Sequence, residues 1–324
     1  MGGNVRRYLP FLLAVVAAAA LPAVVRSGYA LHLAAAIGIN TIVVLGLNLL
    51  MGYAGQVSLG QAAFVGVGAY TSAILGSHLG LSPWIGLAAG AALGALMAGA
   101  VGVPLLKLRG HYLAMGTLGL GMIAHIAMVQ WEGLTGGTIG IGGIPALSVG
   151  GFSFHGDLRM YYLVAAFVLL ALLMASNIID SRVGRALRAV HGSEVAAEVS
   201  GVDTARYKLQ VFILSGGLAG LAGSLYAHHT GYVNCDSFGF AYSIQLVVMV
   251  VLGGMASIWG AVLGAGAVTL IAENLRAFQE FSTVIFGAVL VLVMVFLPAG
   301  LWRGITEMAQ RLGLSGGRRR SGEA

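Results

Sequence analysis

The stretch "LLMGYAGQVSLGQAAFVGVGAY", residues 49–70, begins and ends like a membrane helix but is interrupted in the middle. Its centre carries Gln56, Ser58 and Gln61 among five glycines. Glycine inside a helix costs about 1 kcal/mol relative to alanine, so several together favour unwound backbone or a half-helix. Irregular backbone at membrane depth persists only where protein covers it or where it borders a watery cavity. The pattern therefore predicts a break in a membrane span, with a helix that restarts near Ser58.

The composition of the whole chain is that of a helical membrane protein. Of its 324 residues, 58% are hydrophobic and only 9% are charged, and the mean hydropathy is +0.92. In soluble domains about a quarter of the residues are charged. The apolar runs of this chain are continuous and long enough to form helices that cross about 30 Å of hydrocarbon. The sequence predicts an all-α, polytopic membrane protein with broken or half helices. About ten spans are expected, at residues 8–25, 31–50, 62–77, 84–103, 113–129, 161–179, 209–229, 241–253, 260–272 and 281–297.

The basic residues predict how these spans are oriented. If the N-terminus is inside and each span crosses once, all 17 basic residues except Arg26, Arg159 and Arg276 fall on the cytoplasmic side. This asymmetry is the one that membrane insertion produces, and it places both termini in the cytoplasm. The chain then divides into a retained first span with its flank, a transmembrane domain, and a basic tail that contacts membrane lipid, at residues 1–30, 31–300 and 301–324.

The sequence lacks the residues that several functional classes of protein need. The one cysteine excludes an internal disulfide. The first acidic residue is Glu132, and no carboxylate lies clearly inside a span, which disfavours a proton- or sodium-coupled carrier. Neither lysine completes a phosphate-binding loop, and His228, His229, Cys235 and Asp236 lack the spacing of a standard metal site. We therefore expect no catalytic residues, cofactor, metal or nucleic-acid partner, and the energy for any transport would come from another subunit.

Uncharged polar side chains at the breaks are the candidate translocation pathway. Gln56, Ser58 and Gln61 offer donors and acceptors, and a half-helix starting there would direct its N-terminal amides at a carboxylate. A second break follows Gly253, and interrupted segments in both halves of a transporter point to its pathway. Interhelical hydrogen bonds worth about 0.6 kcal/mol each are the alternative explanation of these residues. The predicted pathway residues are Gln56, Ser58, Gln61, Tyr70, Ser257 and Trp259.

The loop 180–208 predicts two short helices on the cytoplasmic face. Residues 182–190 are amphipathic at the helical period, with arginines opposite an apolar face. Ser193 is a good N-cap and Gly201 a good stop for the second helix. The apolar face needs cover, and the acids of the loop repel anionic lipid, so we expect a protein partner. The residues assigned to this loop are Arg182, Gly184, Arg185, Leu187, Arg188, Glu194, Ala196, Ala197 and Gly201.

Five segments within residues 30–300 carry a family resemblance. They are "LLMGYAGQVSLGQAAFVGVGAYTSAIL", "LRGHYLAMGTLGLG", "LTGGTIGIGGIP", "SRVGRALRAVHGSEVAAEVSGVDTARYKLQVFILSGGLAGLAGSLYA" and "VVLGGMASIWGAVLGAGAV". Together they resemble the permease subunits of branched-chain amino acid ABC importers, and the M-type permease in particular. The resemblance implies a bacterial inner-membrane importer with an H-type sister permease, two cytoplasmic ATPases and an external substrate-binding protein.

The same resemblance implies a role for the loop 180–208. The run from Ala196 and Ala197 to Gly201 matches the core of the loop by which such permeases dock an ATPase, although Glu194 is displaced by one residue. It also implies alternating access and uptake of branched-chain amino acids. Same-family transport of urea, short amides or other amino acids, a sugar or nucleoside permease of similar architecture, and an ion-coupled carrier or channel are the alternatives.

Overall fold

The computed structural model describes residues 2–24, 27–149, 152–275, 287, 300–302 and 304. Helices form most of the described chain, as the apolar runs predict. Their bounds are α1 Gly2–Val24, α2 Gly28–Asn48, α3 Gln61–Ser77, α4 Pro83–Leu105, α5 His111–Gln130, α6 Glu132–Thr135, α7 Asp157–Asp180, α8 Arg182–Gly192, α9 Glu194–Val199, α10 Thr204–Thr230, α11 Phe240–Gly253 and α12 Ile258–Leu275.

Short non-α elements complete the described chain. A π-helical turn, Leu49–Tyr53, continues α2, and a 3-10 turn, Cys235–Phe238, precedes α11. Two antiparallel strand pairs, which the sequence did not predict, lie in the connections between helices. They are β1 (Ile141–Gly142) with β4 (Tyr232–Val233), and β2 (Ser148–Val149) with β3 (Phe152–Ser153).

Six of the described helices are long and apolar enough to cross a membrane, so the prediction of about ten spans is not confirmed. Helices α3 and α11 have 17 and 14 residues, because each begins or ends at a polar break. At 1.5 Å per residue they are shorter than about 30 Å of hydrocarbon. The predicted span 281–297 lies outside the described residues apart from 287. The six segments that are long and apolar enough to cross a membrane are Gly28–Tyr53, Pro83–Leu105, His111–Gln130, Asp157–Asp180, Thr204–Thr230 and Ile258–Leu275.

Helix α10 is the centre of the bundle and packs against α2, α3 and α4. Glycines allow the closest approach, as they do in membrane proteins generally. A Cβ atom on Gly68 of α3 would overlap the carbonyl oxygen of Gly220 in α10, and one on Gly220 would overlap that of Gly90 in α4. These three glycines are therefore a junction at which three helix backbones touch. Helix α2 lies between α7, α10 and α12, and α11 packs against α12.

The glycine junction yields a stability prediction. Gly68→Ala places a methyl group on the Gly220 backbone, which cannot rotate away. We expect the free energy of unfolding to fall by about 1–3 kcal/mol, the usual cost of overpacking, measured as thermal unfolding in detergent. Gly119→Ala is the matched control, since this helical glycine of α5 has open space around its Cβ position. An equal loss of unfolding free energy in both variants would contradict the close backbone contact at the glycine junction.

Candidate functional site

The first predicted break is present where the sequence placed it. After the π-helical turn, residues 54–60 are non-helical, and we call them the 54–60 segment. Gly55 has a φ of 69°, and the backbone N–H of Gln56 donates to the carbonyl of Leu50 at 3.0 Å. The next helix begins at Gln61, slightly later than the predicted start near Ser58. The polar residues of the opening stretch therefore lie on unwound backbone and at the first turn of α3.

The second predicted break is also present, and it lies against the π-helical turn that leads into the first. Helix α11 ends at Gly253 and α12 begins at Ile258. The side-chain amide of Asn48 donates to the carbonyl oxygen of Ser257 at 2.7 Å, and its oxygen accepts from the backbone N–H of Ala256 at 3.0 Å. Gly52 packs so closely on Ala256 that a Cβ atom would overlap the backbone nitrogen. The asparagine that ends α2, just before the first break, thus binds the second break, which is far away in sequence.

Asn48 is a functional candidate that the sequence analysis did not single out. It is 2% exposed and is embedded in the apolar run of α2. An asparagine in such a run is the signal that could have identified it, because a buried amide needs partners inside the protein. A second asparagine of α2, Asn40, lies about two helical turns earlier. It similarly donates to Thr269 at 3.0 Å and accepts from the Tyr242 hydroxyl at 2.8 Å. Both asparagines tie α2 to the α11–α12 pair.

The three polar residues of the opening stretch are all buried within the chain. Gln61 donates to the carbonyl oxygen and hydroxyl of Ser215 in α10, at 3.1 and 3.0 Å. Gln56 donates to Ala54 and to the carboxylate of Glu194, at 3.1 and 3.2 Å. The Ser58 hydroxyl and the Gln61 side-chain oxygen have no hydrogen-bond partner among the described residues. These two oxygens are therefore unused acceptors at the break.

Tyr70 lies away from the meeting point of the breaks, whereas Trp259 follows the second break by two residues and packs its ring towards α1. Tyr70 is about two and a half helical turns beyond Gln61 on α3 and so faces the opposite side, beside Phe238 at 6.2 Å between ring centroids. Its hydroxyl is buried without a hydrogen-bond partner among the described residues. Trp259 packs its ring on Phe11 of α1 at a centroid distance of 5.6 Å. The structure does not bring these two aromatic residues together.

The two short helices of the loop 180–208 are present as α8 and α9. Ser181 caps α8 by accepting from the N–H of Val183 at 3.1 Å, and the predicted cap Ser193 accepts from the N–H of Ala196 at 3.2 Å. Arg188 donates to the carbonyl oxygen of Ile179 at 3.0 Å and so satisfies the end of α7. Gly201 has a φ of 83° just beyond α9, as expected of a helix stop.

The expectation that a partner covers the apolar face of α8 is wrong. Leu187 is 0% exposed, and Val190 is also buried, because α8 folds back on α7 and packs on α10. Gly184 permits this return, since a Cβ atom there would overlap the carbonyl oxygen of Ile179. The surface left open belongs instead to α9, where Val195 and Val199 are 62% and 85% exposed. The arginines of α8 also face outward, as predicted.

The histidines and cysteine weighed earlier as a metal site have other partners. His228 hydrogen-bonds Ser72 and the carbonyl of Pro145, each at 2.8 Å. The His229 ring stacks on His32 at 4.0 Å. Cys235 is fully buried, and burial raises the pKa of its thiol. The bond to Pro145 ties the connection between α5 and α7 to α10, and the other histidine contacts join α10 to α3 and α2.

A bundle of apolar helices with two adjoining polar breaks, and an amphipathic helix pair at one end, defines a polytopic membrane permease. Comparison with known proteins agrees with this class. The family model described as "Branched-chain amino acid transport system / permease component" matches residues 29–297. The chain belongs to this family.

Individual relatives are similar over most of the chain in one case and over about a third of it in the other. The high-affinity branched-chain amino acid transport system permease proteins LivM of Salmonella typhimurium and Escherichia coli are 33% identical to it over 323 residues, which cover 93% of this chain and 76% of each relative. The LivH permease protein of Escherichia coli is 34% identical over 124 residues, or 37% of this chain and 40% of LivH. No solved structure matches the chain.

Proposed function

We propose that the chain is the M-type permease subunit of an ATP-driven importer of branched-chain amino acids. The observation that carries this proposal is the similarity to LivM across 93% of the chain. The partial similarity to LivH supports a sister permease of the H type as its partner. Two cytoplasmic ATPases and an external substrate-binding protein complete the proposed importer. The chain itself forms the pore and catalyses no reaction.

The same proposal assigns a location and an orientation. We place the chain in the bacterial inner membrane, with both termini in the cytoplasm. The bias of basic residues supports this orientation, because cytoplasmic connections attract lysine and arginine. The loop that carries α8 and α9 is then cytoplasmic. The proposed divisions are the first span with its flank, the permease domain and the basic tail, at residues 1–30, 31–300 and 301–324.

The proposed pathway borders the two adjoining breaks. The unused oxygens of Ser58 and Gln61 support it, because such acceptors suit the ammonium group of an amino acid. Irregular backbone beside a watery route is also the arrangement found in transporters generally. Gln56 and Ser257 belong to the same pair of breaks, while Tyr70 and Trp259 remain proposed pathway residues at other positions. In the described conformation the route is closed, since Ser58 is 1% exposed.

The proposed ATPase-docking surface is carried by the outward faces of α8 and α9. Its apolar part is Val195 and Val199, and its basic part is Arg182 and Arg185. An exposed apolar pair with a basic rim is typical of a protein interface. Leu187 supports this surface from behind by packing α8 on the bundle.

Reconstitution tests the proposed function directly. The chain, its sister permease, both ATPases and the binding protein are placed in liposomes with internal ATP. We expect leucine uptake that requires ATP, and saturable binding of leucine, isoleucine and valine to the binding protein by calorimetry. Binding of urea alone would contradict the substrate, and uptake by this chain alone with an ion gradient would contradict the mechanism.

Thiol labelling tests the proposed pathway. In a Cys235→Ser background, Ser58→Cys is expected to react with a small water-soluble maleimide in one nucleotide state and to be protected in the other. The background substitution removes the only native thiol. Leu45→Cys is the control, because this residue is buried among apolar side chains. Equal protection at both positions in both states would place the route elsewhere.

A further inference from the structure

One carboxylate joins the loop 180–208 to the first break. The Oε1 atom of Glu194 accepts from the Gln56 side chain at 3.2 Å, and its Oε2 atom accepts from Nζ of Lys208 at 3.0 Å. The Nε atom of Arg109 lies 3.8 Å from the same Oε2. Each partner belongs to a different element: the 54–60 segment, the first part of α10, and the connection between α4 and α5.

Three of the four groups in this cluster are largely buried, whereas the side chain of Arg109 is 67% exposed. The side chains of Lys208 and Glu194 are 6% and 21% exposed, whereas the next acid of α9, Glu198, is exposed. Lys208 has one ion-pair partner among the described residues, and that partner is Glu194. A buried ammonium group without a counter-charge is strongly disfavoured, so the pair holds α9 and α10 in a fixed relation. Both carboxylate oxygens of Glu194 are therefore engaged within the chain in this conformation.

The cluster also supplies a side-chain hydrogen bond between α9 and the 54–60 segment. A second close approach between the 54–60 segment and the loop 180–208 is at Gly55. A Cβ atom added to Gly55 would lie 3.1 Å from the His191 ring, whereas the hydrogen bond is the one from Gln56 to Glu194. Ser58, with its unused hydroxyl, follows Gln56 by only two residues. A displacement of α9 that carries Glu194 would act on the break through this bond.

We propose that Glu194 is a positioning residue that couples movement of α8 and α9 to the 54–60 segment, with Lys208 as its buried counter-charge. This inference rests on the proposed function, because ATPase docking on α9 would supply the movement. When α9 shifts, Glu194 either pulls Gln56 with it or releases it, and either event rearranges the backbone that borders the route. Arg109 adds only an exposed ion pair from the connection between α4 and α5.

A coupling measurement in the complete importer tests this role. In liposomes, leucine uptake and ATP hydrolysis are measured together for Glu194→Gln. We expect the amount of leucine moved per ATP to fall about tenfold, within the range reported for coupling residues. Co-purification of the ATPases is expected to be unchanged, because Val195 and Val199 are untouched. Lys208→Arg, which preserves the charge, is expected to keep the normal ratio.

Two further variants separate coupling from simple support. Glu198→Gln is the matched control on the same helix, since Glu198 contacts Thr204 at 2.7 Å outside the cluster, and it is expected to leave the ratio unchanged. Gln56→Leu is expected to lower the ratio, and adding it to Glu194→Ala is expected to lower the ratio no further than Glu194→Ala alone, because both changes remove the hydrogen bond between these two side chains.

Three outcomes would overturn the inference. An unchanged ratio in Glu194→Gln shows that the carboxylate does not couple the elements. A proportional loss of ATPase co-purification, hydrolysis and uptake shows that it is only a structural support. Absence of ATP-driven uptake in the unmodified importer would overturn the proposed function itself, and the coupling role with it.

Discussion

Val195→Asp combined with Val199→Asp is expected to abolish ATP-driven uptake while the chain still inserts in the membrane. Both side chains are exposed on α9, so the change costs little within the chain. In the assembled importer it would place two carboxylates in an apolar contact with the ATPase. Loss of central contacts of about 2–4 kcal/mol corresponds to a fall in ATPase affinity of about thirtyfold to a thousandfold. Co-purification of the ATPase with the permease pair measures it directly.

The control for this prediction is Val195→Thr with Val199→Thr, which keeps the shape of both side chains. It is expected to retain most of the ATPase binding. Leu187→Asp would be a poor probe of docking, because it buries a charge in the core and destabilises the chain itself. Arg185→Glu on the exposed face of α8 is expected to weaken docking without that cost. Normal ATPase binding in the double aspartate variant would refute docking on α9.

Asn48→Leu is expected to produce the second large effect, a loss of both stability and transport. The change removes the two hydrogen bonds that join α2 to the second break. It leaves the part-buried N–H of Ala256 and the part-buried carbonyl of Ser257 without that partner, at about 1 kcal/mol for each hydrogen bond lost. We expect a lower thermal unfolding midpoint in detergent and little ATP-driven leucine uptake in liposomes.

Asn274→Leu is the matched control for the loss of an asparagine from a helix. Asn274 lies on α12 and donates to the carbonyl of Leu270 at 2.8 Å, but it is exposed. Water or neighbouring groups replace an exposed hydrogen bond at small cost, so this variant is expected to keep near-normal stability and uptake. If Asn48→Leu kept the stability and uptake of the control, the hydrogen bonds of Asn48 to the second break would not stabilise the protein or support transport.

Local features of the chain were predictable because they depend on neighbours in sequence. Apolar composition indicates membrane helices, clustered glycine and polar residues indicate the two breaks, and Ser193 and Gly201 indicate where α9 begins and ends. The number of spans was not predictable in the same way. An apolar run does not show whether the helix within it is long enough to cross the bilayer once a break has shortened it, as in α3 and α11.

Sequence patterns alone therefore indicate a helical membrane protein with two polar interruptions and an amphipathic loop, because propensity and hydrophobic period act over one or two helical turns. Folding decided which of these features meet. Asn48 contacts Ser257 across 209 positions, and Gln56 contacts Glu194 across 138. The burial of Leu187 is likewise a product of how α8 returns to the bundle. Such contacts depend on close packing between distant segments, which no local pattern records.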